Sequence, residues 1–143
     1  MKFRDRVRST NNVRIDVLDA ATGEILATRE VHNEVEGNGI DLIRDHIYGD
    51  PVAGVKWIAL LDASGTERYR DLITQRVKDT GQITHRHYVG PLAGNGHTYA
   101  SAQLVNAASG GTVYASVSFT DIPKTDAIAI SITWVTGWTD DGV

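Results

Sequence analysis

Residues 128–134 read Ile-Ala-Ile-Ser-Ile-Thr-Trp, and residues 113–119 read Val-Tyr-Ala-Ser-Val-Ser-Phe. In both stretches apolar side chains alternate with small or polar ones, which is the pattern of a β-strand with one buried face. We therefore expect two neighbouring strands that share one core. The side chains expected in this core are Ile128, Ile130, Ile132, Trp134, Val113, Val117 and Phe119. Residues 121–126 are expected to connect the strands, because Pro123 lacks the N–H that a ladder needs.

The first third of the chain shows the same alternation. Val13, Ile15 and Val17 point to one side of a predicted strand, and the charged residues between them point to the other. Residues 20–24 contain a glycine and favour a turn, after which residues 25–31 return as a second strand. We therefore expect a hairpin.

The middle of the chain contains three more strand candidates, at residues 55–61, 83–89 and 98–104. Residues 68–78 fit either a helix or an irregular strand. Many short strands separated by glycine turns are typical of a sandwich or a barrel.

One segment has the spacing of a helix instead. The apolar side chains that share or flank its predicted inner face are Ile40, Ile43, Ile47 and Leu42. Asn38 is the expected N-cap, and Gly49 followed by Pro51 is expected to end the helix. The predicted fold class is thus mainly all-β: an antiparallel β-sandwich or jelly-roll-like barrel with one short α-helix near residues 38–48.

Composition limits the classes of function. Hydrophobic residues make up 41% of the 143 residues and charged residues 22%, which is typical of one folded domain. The net charge of −4 argues against a nucleic-acid partner, since binding to phosphates needs a basic surface. The absence of cysteine excludes disulfides, thiolate zinc sites and cysteine nucleophiles. We expect neither a membrane span, which needs ~20 apolar residues, nor a secretory signal at the charged start.

The two ends of the chain carry opposite charges. We expect a basic N-terminal arm over residues 1–11, a single β domain over residues 12–138 and an acidic C-terminal tail over residues 139–143. The candidate contacts with a partner are Lys2, Arg4, Arg6, Arg8, Trp138, Asp140 and Asp141.

Two histidines lie two residues apart on a predicted strand, so their side chains project from one face. A metal site at His85 and His87 would need a third ligand, for which His97 and His46 are the candidates. The favoured interpretation is a partly buried or interfacial row of histidines. We therefore predict no metal and no cofactor.

Two further patterns resemble catalytic or nucleotide sites only in part. Residues 36–39 (EGNG) precede the helix, but Leu42 stands where a dinucleotide loop has its third glycine. Asp41 and Asp45 lie one helical turn apart and are expected on a solvated face, with Arg44 as an i, i+3 partner for Asp41. Together with the absence of known catalytic motifs, this predicts a protein that is not an enzyme.

Several stretches, taken together, resemble a group of small bacteriophage and prophage virion structural proteins. They are residues 19–24 (DAATGE), 32–35 (HNEV), 39–45 (GIDLIRD), 107–115 (AASGGTVYA) and 122–134. The resemblance extends from about residue 13 to residue 138. The chain departs from the family pattern after Leu61, where residues 62–66 read DASGT instead of a glycine–threonine repeat.

The resemblance implies a virion protein, made in the cytoplasm of the bacterial host, that works by self-association and docking. The favoured placement is a capsid decoration protein on the outside of the head, as a homotrimer bound to the major capsid protein. The alternative is a tail-tip, baseplate or tail-fibre module bound to other tail proteins, with possible recognition of a host surface or carbohydrate. We expect no nucleic-acid or membrane partner.

Two other classes of function stay open. A carbohydrate-binding module also fits an all-β chain that contains Trp57, Trp134, Trp138 and Tyr99, although the three tryptophans fit core and interface positions equally well. An uncharacterised hydrolase is the enzymatic alternative.

Overall fold

The computed structural model describes residues 7–34 and 37–140. Within these ranges the chain forms nine strands and one helix. In chain order they are β1 (Val7–Asp19), β2 (Ile25–Glu34), α1 (Gly37–Tyr48), β3 (Trp57–Asp62), β4 (Glu67–Leu72), β5 (Gln75–Asp79), β6 (Gln82–Val89), β7 (His97–Val105), β8 (Val113–Lys124) and β9 (Ile128–Asp140).

The strands form two antiparallel sheets. The five-stranded sheet has the order β2-β1-β9-β6-β5, and the four-stranded sheet has the order β4-β3-β7-β8. Each of the four hairpins (β1–β2, β3–β4, β5–β6 and β7–β8) lies within one sheet, and the chain changes sheets between hairpins. The predicted antiparallel sandwich with one short helix is confirmed. The jelly-roll variant stays a prediction.

The core lies between the inner faces of the two sheets. Ile130, Ile132, Trp134 and Val117 are buried there, as the alternation predicts. The other three predicted core side chains, Ile128, Val113 and Phe119, are partly buried and pack against buried apolar residues. The core also contains side chains from the first strand and the middle of the chain: Val13, Ile15, Ile58, Leu60, Val89, Tyr99 and Leu104.

The predicted connection over residues 121–126 is wrong in its extent. Strand β8 continues to Lys124 and includes Pro123, which lies opposite Thr98. The proline is tolerated because β8 is the outer strand of its sheet, where one side of the strand needs no ladder donor. The remaining connection to β9 therefore covers only residues 125–127.

The ambiguous segment at residues 68–78 resolves into two strands. Strand β4 ends at Leu72 in the four-stranded sheet, and β5 begins at Gln75 in the five-stranded sheet. Between them Ile73 is buried, and its backbone N–H donates to the carbonyl of Lys56 at 2.9 Å. The apolar spacing that suggested a helix thus marks a crossing between the sheets.

Residues 62–66, which depart from the family pattern, form a turn that satisfies its own polar groups. One carboxylate oxygen of Asp62 accepts hydrogen bonds from Ser64 Oγ at 2.6 Å and from the backbone N–H groups of Ser64 and Thr66, both at 3.0 Å. Arg68 donates to the other oxygen at 2.9 Å. These hydrogen bonds, that of the Ser64 hydroxyl first, lower the pKa of Asp62.

Helix α1 ends as predicted. Gly49 adopts a φ of 101°, a conformation that favours glycine, and its N–H donates to the carbonyl of Asp45 at 3.1 Å. The predicted N-cap is wrong, because the helix begins at Gly37 and Asn38 lies inside its first turn.

The predicted inner face of α1 is only half buried. Leu42 and Ile43 pack against the core, whereas Ile40 is 57% exposed and Ile47 is 80% exposed. The 3.6-residue period places all the isoleucines on one side of the helix. The core reaches only part of that side.

The boundaries of the β domain lie further out than the predicted arm and tail suggest. Val7 pairs with Asp140 at the ends of β1 and β9, so residues 7–11 and 139–140 are strand residues. The arm and the tail were predicted from charge alone. Charge does not show that β1 begins as early as Val7 or that β9 continues as far as Asp140.

Within the described ranges, α1 is too short and too polar to cross a membrane.

Candidate functional site

A cavity of about 910 Å³ lies between α1 and the inner face of the five-stranded sheet. Strands β5, β6 and β9 form one side of it, and α1 with residues 52–55 forms the other. Tyr114 of β8 and residues 73–75, where the chain crosses between the sheets, complete the lining. Ligand sites in proteins are ~300–1,000 Å³, so this volume suits a small molecule.

The strand register determines which side chains the sheet presents to the cavity. Thr136 of β9 lies between Asn11 of β1 and Ile83 of β6, and Ile83 lies opposite Lys78 of β5. Residues directly opposite in antiparallel strands share a face of the sheet. Thr136, Ile83 and Lys78 therefore form one row of the cavity wall, which continues to Asn11 in the sheet interior.

A second row lies next to the first and contains a buried histidine. His85 of β6 lies between Trp134 of β9 and Arg76 of β5, and both His85 and Arg76 line the cavity. Trp138, two residues after Thr136 on β9, also lines the cavity. The helix contributes Leu42, Ile43 and His46 to the lining, together with Ile47, which is 80% exposed and lies at the outer edge of the cavity.

Asn11 joins the two rows through its side chain. Its Oδ1 accepts hydrogen bonds from Trp134 Nε1 and from Thr136 Oγ1, each at 2.9 Å. Because an indole nitrogen can only donate, the amide orientation is fixed with oxygen towards Trp134. Asn11 is 0% exposed, and its Nδ2 has no hydrogen-bond partner among the described residues. Buried amide donors without a partner are uncommon in folded proteins.

His85 is the second buried polar side chain at this site with an unpaired atom. It is 6% exposed, and its Nδ1 finds no partner in the described part of the chain. Burial, and to a smaller extent the positive charge of Arg76, lower the pKa of His85 to about 4. The imidazole is therefore neutral at pH 7, and one of its nitrogens carries a hydrogen that can be donated.

His87 lies on the same face of β6 but belongs to a different cluster. Its Nε2 lies 2.7 Å from the hydroxyl of Tyr69, and its Nδ1 lies 3.3 Å from Thr74 Oγ1. Tyr69 is on β4, so this contact joins the four-stranded sheet to the five-stranded one. Burial lowers the pKa of His87 and raises that of Tyr69. The cluster bridges the sheets through neutral groups.

Lys124 is buried as well, but it is fully paired. Its ammonium donates to Asn95 Oδ1 at 2.6 Å, to the carbonyl of Thr125 at 2.9 Å and to that of Pro91 at 3.3 Å. These bonds hold residues 91–95 against the end of β8. The role of Lys124 is therefore to order a loop.

The predicted partner contacts fall into three groups. Trp138 is partly buried, packs against the core and lines the cavity. Arg8 and Asp140 lie in the paired ends of β1 and β9. The other four lie outside the described residues: Lys2, Arg4, Arg6 and Asp141.

The predicted histidine row is confirmed in its orientation, since His85 and His87 are both buried on one face of β6. Across residues 7–34 and 37–140, no group of three or more histidine or acidic side chains could hold a metal ion.

Asp41 and Asp45 lie on the solvated side of α1, as predicted. Arg44 forms ion pairs with Asp41 at 3.1 Å and with Asp45 at 2.8 Å.

The four aromatic side chains considered for carbohydrate binding do not form a shared platform. Trp134 and Tyr99 are buried in the core, and Trp57 packs in a separate small cluster on β3. Trp138 is the member of this set that lines the cavity.

The residues of the site that the sequence interpretation missed include Asn11, Thr136, Arg76 and Lys78. Extending the alternation of Val13 and Ile15 back by two residues points to Asn11, and extending that of Trp134 forward points to Thr136.

Comparisons of the chain with protein-family models, with curated proteins and with solved structures return no match.

Proposed function

We propose that this chain is a non-enzymatic structural protein of a bacteriophage particle, which self-associates and docks on the outside of the capsid. The single observation that carries the docking part of the proposal is an exposed apolar strip on α1, made of Ile40, Ile47 and Tyr48. These side chains are 57%, 80% and 84% exposed.

Two members of the apolar strip, Ile40 and Ile47, share one side of the helix, and Tyr48 projects about 100° from them around the helix axis. Seven residues separate Ile40 from Ile47, which is almost two full helical turns, so the two side chains project in nearly the same direction. Tyr48 follows immediately. Single exposed apolar residues are ordinary, but large ones grouped on one element are typical of contact surfaces.

Charged groups lie among and beside the members of the apolar strip. Arg44 lies between Ile40 and Ile47 along the helix and is bonded to Asp41 and Asp45 on its outer side. Protein interfaces commonly combine an apolar centre with a charged rim. Because Leu42 and Ile43 pack against the core, the helix presents the apolar strip from a fixed position.

A closed symmetric oligomer, with a homotrimer favoured, is the assembly that we propose. Closed symmetry lets a small chain bury ~1,200–2,000 Å² per interface with one repeated surface. The resemblance to small virion proteins supports the particle as the location. The basic residues Lys2, Arg4 and Arg6 supply charge for contact with acidic groups of the major capsid protein.

Light scattering of the purified chain over a range of concentrations tests the self-association. We expect the measured mass to rise to three chains, and the double variant Ile47→Ser/Tyr48→Ser to stay at the mass of one chain. The matched control is Leu92→Ser, which removes a side chain that is 90% exposed on a different surface. A wild-type chain that stays monomeric throughout, or a control that dissociates as readily as the double variant, would refute this assembly.

A further inference from the structure

We propose that the cavity between α1 and the five-stranded sheet binds an aliphatic carboxylate, a molecule with a flexible apolar body and one anionic head. This inference does not depend on the proposed role in a virion. It rests on three features of the lining: its aliphatic character, the sign of its charges and the pairing of Arg76 with His85 in its wall.

The aliphatic character of the lining determines the body of the ligand. Most of the apolar lining side chains are branched and aliphatic, and they come from the helix, the segment after it, the sheet crossing and β6. They are Leu42, Ile43, Ile47, Val52, Val55, Ile73 and Ile83. A sugar would need a dense set of hydrogen-bonding groups with an aromatic platform. The aliphatic lining of this cavity instead favours a hydrocarbon chain, whose burial is stabilised by the hydrophobic effect.

The charges of the lining select an anion. Arg76 and Lys78 lie at the exposed side of the cavity on β5, and His46 faces it from α1. None of the described residues that line the cavity is an aspartate or a glutamate. An anionic head would therefore meet only positive or neutral groups, whereas a cationic head would be repelled.

The pairing of Arg76 with His85 across two strands gives the head a defined position. Arg76 and His85 lie directly opposite each other on β5 and β6, so their side chains are neighbours on one face of the sheet. The unpaired Nδ1 of His85 is itself buried, so the exposed guanidinium of Arg76 is the group that contacts the head, with the neutral His85 ring beside it in the wall.

Titration calorimetry of the full chain with sodium dodecanoate, below its micelle concentration at pH 7, tests the proposal. We expect binding of one dodecanoate per chain and much weaker binding of dodecyltrimethylammonium, which has the same chain length and the opposite charge. The variant Arg76→Gln should weaken dodecanoate binding by up to about fivefold, which is the upper range for loss of a partly exposed ion pair. It should not weaken binding of the cationic probe.

Two further variants locate the binding. Arg14→Gln is the matched control, because it removes an exposed cation from β1 of the same sheet, and β1 contributes no residue to the cavity lining. It should leave dodecanoate binding unchanged. Ile83→Trp should fill the cavity and abolish stoichiometric binding while the β circular dichroism signal is kept. No binding of dodecanoate by the wild-type chain, equal binding of both probes, or binding unaffected by both Arg76→Gln and Ile83→Trp would overturn the proposal.

Discussion

Asn11 Oδ1 accepts a hydrogen bond from Trp134 Nε1 at 2.9 Å, which joins two side chains that lie 123 residues apart in the chain. Both side chains are fully buried, and they lie on β1 and β9, the paired first and last strands of the described chain. Asn11 also accepts from Thr136, so one amide oxygen satisfies two buried donors on β9. The hydrogen bonds thus tie together the strands at the centre of the five-stranded sheet.

Replacing Asn11 with alanine should lower the free energy of unfolding by about 2–4 kcal/mol. The reason is that Trp134 and Thr136 would each keep a buried donor without an acceptor, at about 1–3 kcal/mol per group. Urea unfolding monitored by tryptophan fluorescence measures the change. The control is Asn12→Ala on the exposed face of β1, where we expect a change below about 1 kcal/mol. Equal effects of the two substitutions would contradict the assigned network.

Ile130→Ala should lower the free energy of unfolding by about 2–5 kcal/mol, because the side chain is 1% exposed and its loss leaves a cavity between the sheets. The matched control is Ile25→Ala at the start of β2, where the isoleucine is half exposed. We expect less than half of the core effect there. A denaturation midpoint for Ile130→Ala that matches the wild-type value would mean that this face of β9 is not the core face.

The stability of the fold should decrease as the pH falls from 6.5 towards about 4. In this interval the unfolded chain protonates His85, whose pKa is ordinarily 6.5, whereas the folded chain keeps it neutral because burial holds the pKa near 4. Protonation therefore favours the unfolded state. The full difference corresponds to roughly 3 kcal/mol.

Urea midpoints measured at several pH values for the wild type and for His85→Gln check this dependence. Because glutamine does not titrate, the variant should lose less stability over the same interval, whatever its stability at pH 7. Carboxylates elsewhere titrate in both proteins and cancel in the comparison. Identical slopes for the two proteins would show that His85 is not buried in its neutral form.

Two adjacent glycines between β7 and β8 provide a comparison of backbone strain with steric conflict. Gly110 and Gly111 have φ values of 59° and 79°, so alanine at either position is strained by roughly 1–2 kcal/mol. A Cβ atom at Gly110 would meet no atom within 4 Å, whereas one at Gly111 would lie 2.6 Å from Ala107 Cβ and 2.7 Å from Asn106 Oδ1. Thermal unfolding should therefore show that Gly111→Ala is more destabilising than Gly110→Ala. The reverse order would contradict the described loop.

Local patterns predicted the strands well, because a buried face leaves a period of two wherever it occurs. The alternation at Ile130 and Ile132 identified core residues, and Gly49 marked the end of α1. Pro123 misled the interpretation, since whether a strand tolerates proline depends on its position in the sheet, which the sequence does not display. The exposure of Ile47 was missed for a similar reason, because periodicity shows which side of the helix a residue occupies but not whether the core covers that side.

The cavity was not predictable from any single stretch. Its lining comes from α1, the segment after it, β5, β6, β8 and β9, which only the tertiary fold brings together. The histidine pair was noticed, but the different partners of His85 and His87 depend on contacts with other strands. Asn11 was assigned to an arm because nearby positive charges suggested solvent exposure, whereas its own position continues the buried face of β1.

Fractionation of phage particles tests the central proposal most directly. On the proposal that a phage encodes the chain, its particles would be separated into heads and tails, and the chain would be quantified in each fraction by mass spectrometry. We expect the chain with the heads, at an occupancy that falls in high salt and in the Ile47→Ser/Tyr48→Ser variant but not in Leu92→Ser. Recovery with the tails would favour the tail-module alternative over the capsid. Absence of the chain from both fractions would contradict a structural role in the virion.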